Sequence, residues 1–194
     1  MTGTTRAQFL RRAGAGGVAL VAGGSVLGLA EGTALGASTS DADIAKLAAT
    51  AELLAIDFYK HAIASKQLKG DELAYPGGAL GNEQAHYDAL KGVLGSATPT
   101  GLTFKYPAGS FASRTSIGKL GEALETAFVG AYMGAVTAFQ SNELKGVAAE
   151  IGACESRHLS VLTNIGENMI TVAPNLPKVF TAAQATAAVK PFIA

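Results

Sequence analysis

Two of the three histidines in this 194-residue sequence follow a glutamate by three positions, in Glu83-Gln84-Ala85-His86 and Glu155-Ser156-Arg157-His158. On a helix, residues i and i+3 project from one face about a turn apart, so each pair presents a carboxylate and an imidazole together. A lone glutamate precedes each pair: Glu52 stands 31 positions before Glu83, and Glu125 stands 30 before Glu155. The two halves are offset by 73 positions at the lone glutamates and by 72 at both members of the pairs. Tyr59 and Tyr132, each seven residues after its glutamate, keep the offset of 73. Such a repeat predicts a duplicated helical hairpin with an approximate twofold axis. Four carboxylates cannot share an apolar interior uncompensated, and two divalent metal ions would absorb their charge. Bridging carboxylates with terminal imidazoles suit iron or manganese, and two histidines are few for copper. The competing reading is two solvated helix faces, which leaves the equal offsets without a cause.

The elements that must position these residues are helical. From Asp41 to Lys69 apolar residues recur at helical spacing (Ile44, Leu47, Ala51, Leu54, Phe58, Ala62), with Asp41 as N-cap and Gly70 as stop. The run Tyr75-Pro76-Gly77-Gly78 predicts a break, and a second helix is expected from about Ala79 to Leu94. Pro99, Gly101, Pro107 and Gly109 make residues 95–112 a loop. A third helix is expected from about Ser116 to Leu144 and a fourth from Val147 to Ile170, separated only around Lys145-Gly146. After Pro174 and Pro177 a short helix should start at Thr181 and end before Pro191. Short links make helices 1 and 2, and 3 and 4, antiparallel pairs. The 18 residues from Gly95 to Ala112 can stretch about 60 Å, against about 38 Å for a 25-residue helix. The loop can therefore cross the whole bundle. The expected fold class is all-α, a four-helix bundle with a long crossover between helices 2 and 3.

Four stretches carry a family resemblance: Thr50-Ala51-Glu52 through Phe58-Tyr59, Asn82-Glu83-Gln84-Ala85-His86, Leu124-Glu125 through Gly130-Ala131-Tyr132, and Cys154-Glu155-Ser156-Arg157-His158. Together they resemble the ferritin-like superfamily, in which two helices each give a Glu and two give Glu-x-x-His. More narrowly the chain is similar to the bacterial ferritin-like domain family related to desiccation-associated proteins. The closing Ala188-Val189-Lys190-Pro191-Phe192-Ile193 is similar to the C-terminal segment of that family. The resemblance covers about 41–193 and implies a non-heme dinuclear centre. It marks Glu52, Glu83, His86, Glu125, Glu155 and His158 as ligands to two iron ions, two manganese ions or a mixed pair.

Composition narrows the function from the other side. Hydrophobic residues make up 48% of the chain and charged residues 15%, so apolar surface is ample and disorder is excluded. Basic and acidic residues both total 15, leaving no excess to hold a phosphate backbone, so nucleic acid is not an expected partner. The single cysteine cannot form an internal disulfide or a rubredoxin-type iron site. At the N-terminus, Arg6, Arg11 and Arg12 precede the charge-free stretch from Ala13 to Ala30, and a small-residue tract from Thr33 to Ser40 follows. This is the order of an export signal, with a permanent membrane anchor as the alternative. Thr5-Arg6-Ala7-Gln8-Phe9-Leu10-Arg11 resembles the twin-arginine motif, departing from it at Ala7. Cleavage could fall after Ala30, Ala34 or Ala37. Residues 1–37 are thus read as an export signal and 38–194 as the ferritin-like domain, placed in the periplasm or outside the cell. Without residues 1–37 the chain carries 12 basic and 14 acidic residues and is nearly neutral.

Among neighbouring residues, Glu122 lies one turn before Glu125 but does not keep the repeat offset. Tyr59 and Tyr132 are read first as core tyrosines and second as partners of the centre or electron relays. Cys154, about 100° round the helix from Glu155, is read as a small core residue, and His61 and Glu150 as surface residues. The expected function is a redox one, a di-iron oxidoreductase of ferroxidase or peroxidase type. Its partners would be a small-molecule oxidant and, lacking a rubredoxin-type centre, a separate electron donor. A metal-binding structural or stress-protection protein without turnover is the alternative, and an iron-storage cage is disfavoured by export. The sequence is compatible with a homo-oligomer.

Overall fold

The structure, a computed structural model, describes residues 39–169 and 176–194. The expected export segment 1–37, Pro174 and the expected helix end at Ile170 lie outside the described residues. Four long helices, α1 (Asp41–Ser65), α2 (Asp71–Leu94), α3 (Arg114–Ala138) and α4 (Asn142–Glu167), are followed by the short α5 (Ala182–Val189). The described residues contain no strand, only an isolated bridge between Phe104 and Ile193. None of the described helices is long and apolar enough to cross a membrane. The architecture is the expected all-α bundle: α1 packs with α2 and α3 with α4, and the segment from Gly95 to Ser113 makes the crossover.

The helix ends differ from expectation in instructive ways. α1 is capped by Ser40, whose hydroxyl accepts from the Asp43 N–H, rather than by Asp41, and it stops at Ser65 with Lys66 in the left-handed region. α2 begins at Asp71 and runs through Pro76, so the predicted break there does not occur. Pro76 lies in the second turn, where its missing N–H forgoes one bond, to the Glu72 carbonyl. Tertiary contacts compensate. Glu72 accepts a forked pair of bonds from Arg114 at 2.6–2.9 Å, and the Tyr75 hydroxyl lies 2.9 Å from that of Tyr59. The break between α3 and α4 falls at Phe139–Ser141, not at Lys145-Gly146, which lies inside α4. Ser141 caps α4 by accepting from the Leu144 N–H, while the Asp41 carboxylate accepts from the N–H groups of Gln140 and Ser141. Ser141 and Asp41 thus satisfy orphan donors exactly where the chain turns.

Two apolar clusters fill the bundle, stacked end to end. One gathers Ile44, Tyr87, Leu90, Tyr132 and Ile151, the other Leu54, Phe58, Leu124, Phe128 and Leu162. Close approach of α3 to α4 depends on glycine. A Cβ on Gly118 would lie 2.2 Å from the Gly166 backbone nitrogen, and one on Gly121 would meet Leu162 at 2.7 Å. The chemistry-bearing residues sit where the two clusters meet.

Candidate metal centre

Each long helix delivers its share to one point. Glu52 comes from α1, Glu83 and His86 from α2, Glu125 from α3, Glu155 and His158 from α4. All six sequence-predicted residues converge, in two overlapping groups whose ligand atoms lie within 4.8 Å of one another. One group is Glu52, Glu83, His86 and Glu155; the other is Glu83, Glu125, Glu155 and His158. Glu83 and Glu155 belong to both.

Distances show how the sharing works. His86 Nδ1 lies 3.2 Å from Glu83 Oε2, 3.1 Å from Glu155 Oε1 and 3.3 Å from Glu52 Oε2. His158 Nδ1 lies 2.8 Å from Glu83 Oε1, 3.0 Å from Glu155 Oε2 and 3.8 Å from Glu125 Oε1. Glu83 and Glu155 therefore point one oxygen to each histidine, while Glu52 and Glu125 are terminal. The cluster is deeply buried, with His86 its most exposed side chain at 13%.

One nitrogen cannot serve three acceptors. Glu52 Oε2, Glu83 Oε1 and Glu155 Oε1 are buried without a hydrogen-bond partner, although an imidazole nitrogen approaches each, and Glu125 Oε2 is buried without a partner as well. A buried acceptor left unpaired costs about 1–3 kcal/mol, more when charged. Four orphaned oxygens around two imidazole nitrogens are a donor set that fits two divalent cations, with all-O/N ligation suited to iron or manganese.

Electrostatics follow from the burial. Burial pushes Glu52 and Glu125 well above the usual carboxylate range, and the neighbouring charges of Glu155 and Glu83 push the same way. Burial would also raise Glu83, but the close imidazoles of His158 and His86 outweigh it and hold that carboxyl at about 2. Burial opposes the charged form of both imidazoles. Glu155, Glu52 and Glu83 nevertheless hold His86 well above the usual histidine range, and Glu155 and Glu83 bring His158 to about 10.

The tyrosines do more than fill the core. The Tyr59 hydroxyl donates to Glu125 Oε1 at 2.7 Å, and the Tyr132 hydroxyl donates to Glu52 Oε1. Each tyrosine thus serves the terminal glutamate of the opposite half, an exchange that sequence spacing alone does not reveal. Burial raises both phenols well above their usual range, and the carboxylates Glu125 and Glu52 add to it. The His158 side is further furnished: Asn82 Nδ2 stands 3.2 Å and Cys154 Sγ 3.8 Å from His158 Nε2. Arg157 Nη2 donates to Cys154 Sγ at 3.1 Å, so Cys154 is buried as expected yet also touches a member of the site. Asn82 and Tyr75 were not anticipated. A signal existed for the first, because Asn82 and Cys154 occupy equivalent positions in the 72-residue repeat. Glu122 belongs to neither group; His61 and Glu150 are exposed, as expected.

None of the curated proteins compared with the sequence matches it. A family does: residues 40–167 match the ferritin-like domain, a span that takes in all four long helices and every residue of the cluster. With four helices, a crossover between the second and third and a buried Glu/His cluster where they meet, this chain belongs to the ferritin-like domain family.

Proposed function

We propose that the cluster holds two divalent metal ions, iron or manganese, and that the protein is an exported oxidoreductase acting on dioxygen or peroxide. The observation that carries the metal reading is the set of four buried, donorless carboxylate oxygens arranged about two imidazole Nδ1 atoms. Glu83 and Glu155 would bridge the ions, with Glu52 and His86 completing one site and Glu125 and His158 the other. Bound there, iron or manganese would supply the one-electron steps that an oxidant requires. The protein's own part is to exclude water and fix the ligands. Leu54, Phe58 and Phe128 are all but inaccessible around the site, and Tyr59 and Tyr132 hold the terminal carboxylates in place. Electrons would come from a separate donor, because one cysteine builds no rubredoxin-type centre. The narrower kinship with desiccation-associated proteins and removal of residues 1–37 on export belong to the same proposal.

Burial favours a second reading, in which the metal serves folding and stress protection without turnover. One experiment separates the two. The protein, reconstituted anaerobically with ferrous iron, is analysed for metal and mixed with oxygen or hydrogen peroxide in a stopped-flow instrument. Two metals per chain and oxidation within seconds support the oxidoreductase. Two metals with no reaction to either oxidant favour the structural role, and no bound metal rejects both.

A further inference from the structure

A second feature lies outside the cluster. Between α1, α3 and α5 runs a cavity of about 500 Å³, within the range of small-molecule sites. Its walls are carved by small side chains, among them Ala48, Ala51, Ala131, Ala135, Ala182 and Ala185. The outer wall is held in place by a specific joint. The Phe180 N–H donates to the Gly130 carbonyl at 2.9 Å, and the Phe180 carbonyl sits 1.8 Å from where a Cβ on Gly134 would stand. Only glycine at 134 lets residues 178–180 lie against α3, and α5 then roofs the space.

Shape and polarity define the occupant. The lining spans Ala127 to Ala138 along α3, about 17 Å at the helical rise. A volume of about 500 Å³ along that length makes the cavity elongated rather than round. Among the described residues, no charged side chain lines it. Its polar groups gather chiefly at one end, where Thr137 and Gln140 are exposed beside Thr39, while the far end is closed by the buried Ala51, Phe128 and Val189. Ordered water needs two to four polar partners, which this inner stretch does not offer.

We propose that this cavity binds an elongated aliphatic ligand carrying an uncharged polar head, with the head at Thr39, Thr137 and Gln140 and the tail running in towards Ala51 and Phe128. The Tyr132 ring lines the same wall and its hydroxyl rests on Glu52, so the bound chain lies directly beside the cluster. The site does not depend on which metal the cluster holds.

The full chain, metal-free and manganese-loaded, is titrated with Nile red as a neutral apolar probe, and the bound dye is competed with 1-decanol or with decanoate. The expected result is saturable binding in both forms, displaced by decanol, with decanoate weaker. Ala135→Phe and Ala182→Phe fill the space from opposite walls, and each should weaken dye binding about tenfold or more. Circular dichroism checks that both variants keep the helical content of the parent. Should Ala135→Phe not fold, Ala182→Phe on the short α5 carries the test. Failure of decanol to compete, or unchanged binding by folded filled variants, overturns the proposal. So does binding that emerges only after removal of residues 1–38, because the chain's own N-terminal segment would then be the occupant.

Discussion

Loading the cluster with metal at pH 7 should expel protons in a predictable number. Burial raises Glu52 and Glu125 above the usual carboxylate range, and the surrounding carboxylates hold His86 and His158 above the usual histidine range, so both imidazoles carry a second proton at neutrality. A histidine ligand must be neutral, so two divalent ions should displace at least the two imidazolium protons per chain. The His158 proton alone, held to about 10, opposes binding at pH 7 by about 4 kcal/mol. With at least one proton leaving per ion, the apparent dissociation constant of each should rise about tenfold or more for each unit the pH falls. Isothermal titration with manganese(II) in buffers of different ionisation enthalpy counts the protons without interference from oxidation. Release of fewer than two protons per chain would refute this account of the charge balance.

Other outcomes follow from the same geometry. Glu83→Ala or Glu155→Ala should abolish binding of both ions and, by leaving imidazolium groups under-compensated, destabilise the metal-free protein by about 3–5 kcal/mol; Glu125→Ala should cost only one ion, and elemental analysis distinguishes these. Metal-free protein should lose thermal stability as pH rises from 5 to 9. Its raised carboxyl and imidazole groups bind more protons folded than unfolded, and the His158 contribution, full below the ordinary histidine range, is lost on approach to about 10. Calorimetry should show the trend, and metal-loaded protein should lack it. Tyr132→Phe removes the donor to Glu52 and should cost about 1–3 kcal/mol in urea unfolding of the metal-free form. Gly118→Ala drives a methyl group into the Gly166 backbone and should destabilise by about 3 kcal/mol, read by the same method.

The cluster was legible because its chemistry is written at short range. A carboxylate and an imidazole three apart on a helix share a face wherever that helix packs, and the repeat offset repeats the statement independently. Helix boundaries were less legible, because long-range partners decide them. Pro76 looks like a stop until Arg114 holds Glu72 and Tyr59 meets Tyr75. Lys145-Gly146 looks like a link until Asp41, a hundred residues away, gathers the N–H groups of Gln140 and Ser141. The tyrosines show the same limit from another side. Their spacing marked them as equivalent, but which glutamate each would reach depends on how α1 faces α3. The cavity left no trace at all in the sequence, since alanines and glycines along a helix record only that something else can come close.

The crossed tyrosines carry a consequence for how the molecule is built. The hairpin α1–α2 presents Glu52 but draws its donor from Tyr132, and the hairpin α3–α4 presents Glu125 but draws its donor from Tyr59. Neither hairpin is self-sufficient. Two separate copies of one such hairpin, placed face to face, would complete each other in the same way, so the crossover acts as a tether on a pairing that the side chains already specify. Cutting the chain at Gly101 should leave two fragments that are incomplete alone and that recover the helical bundle when mixed.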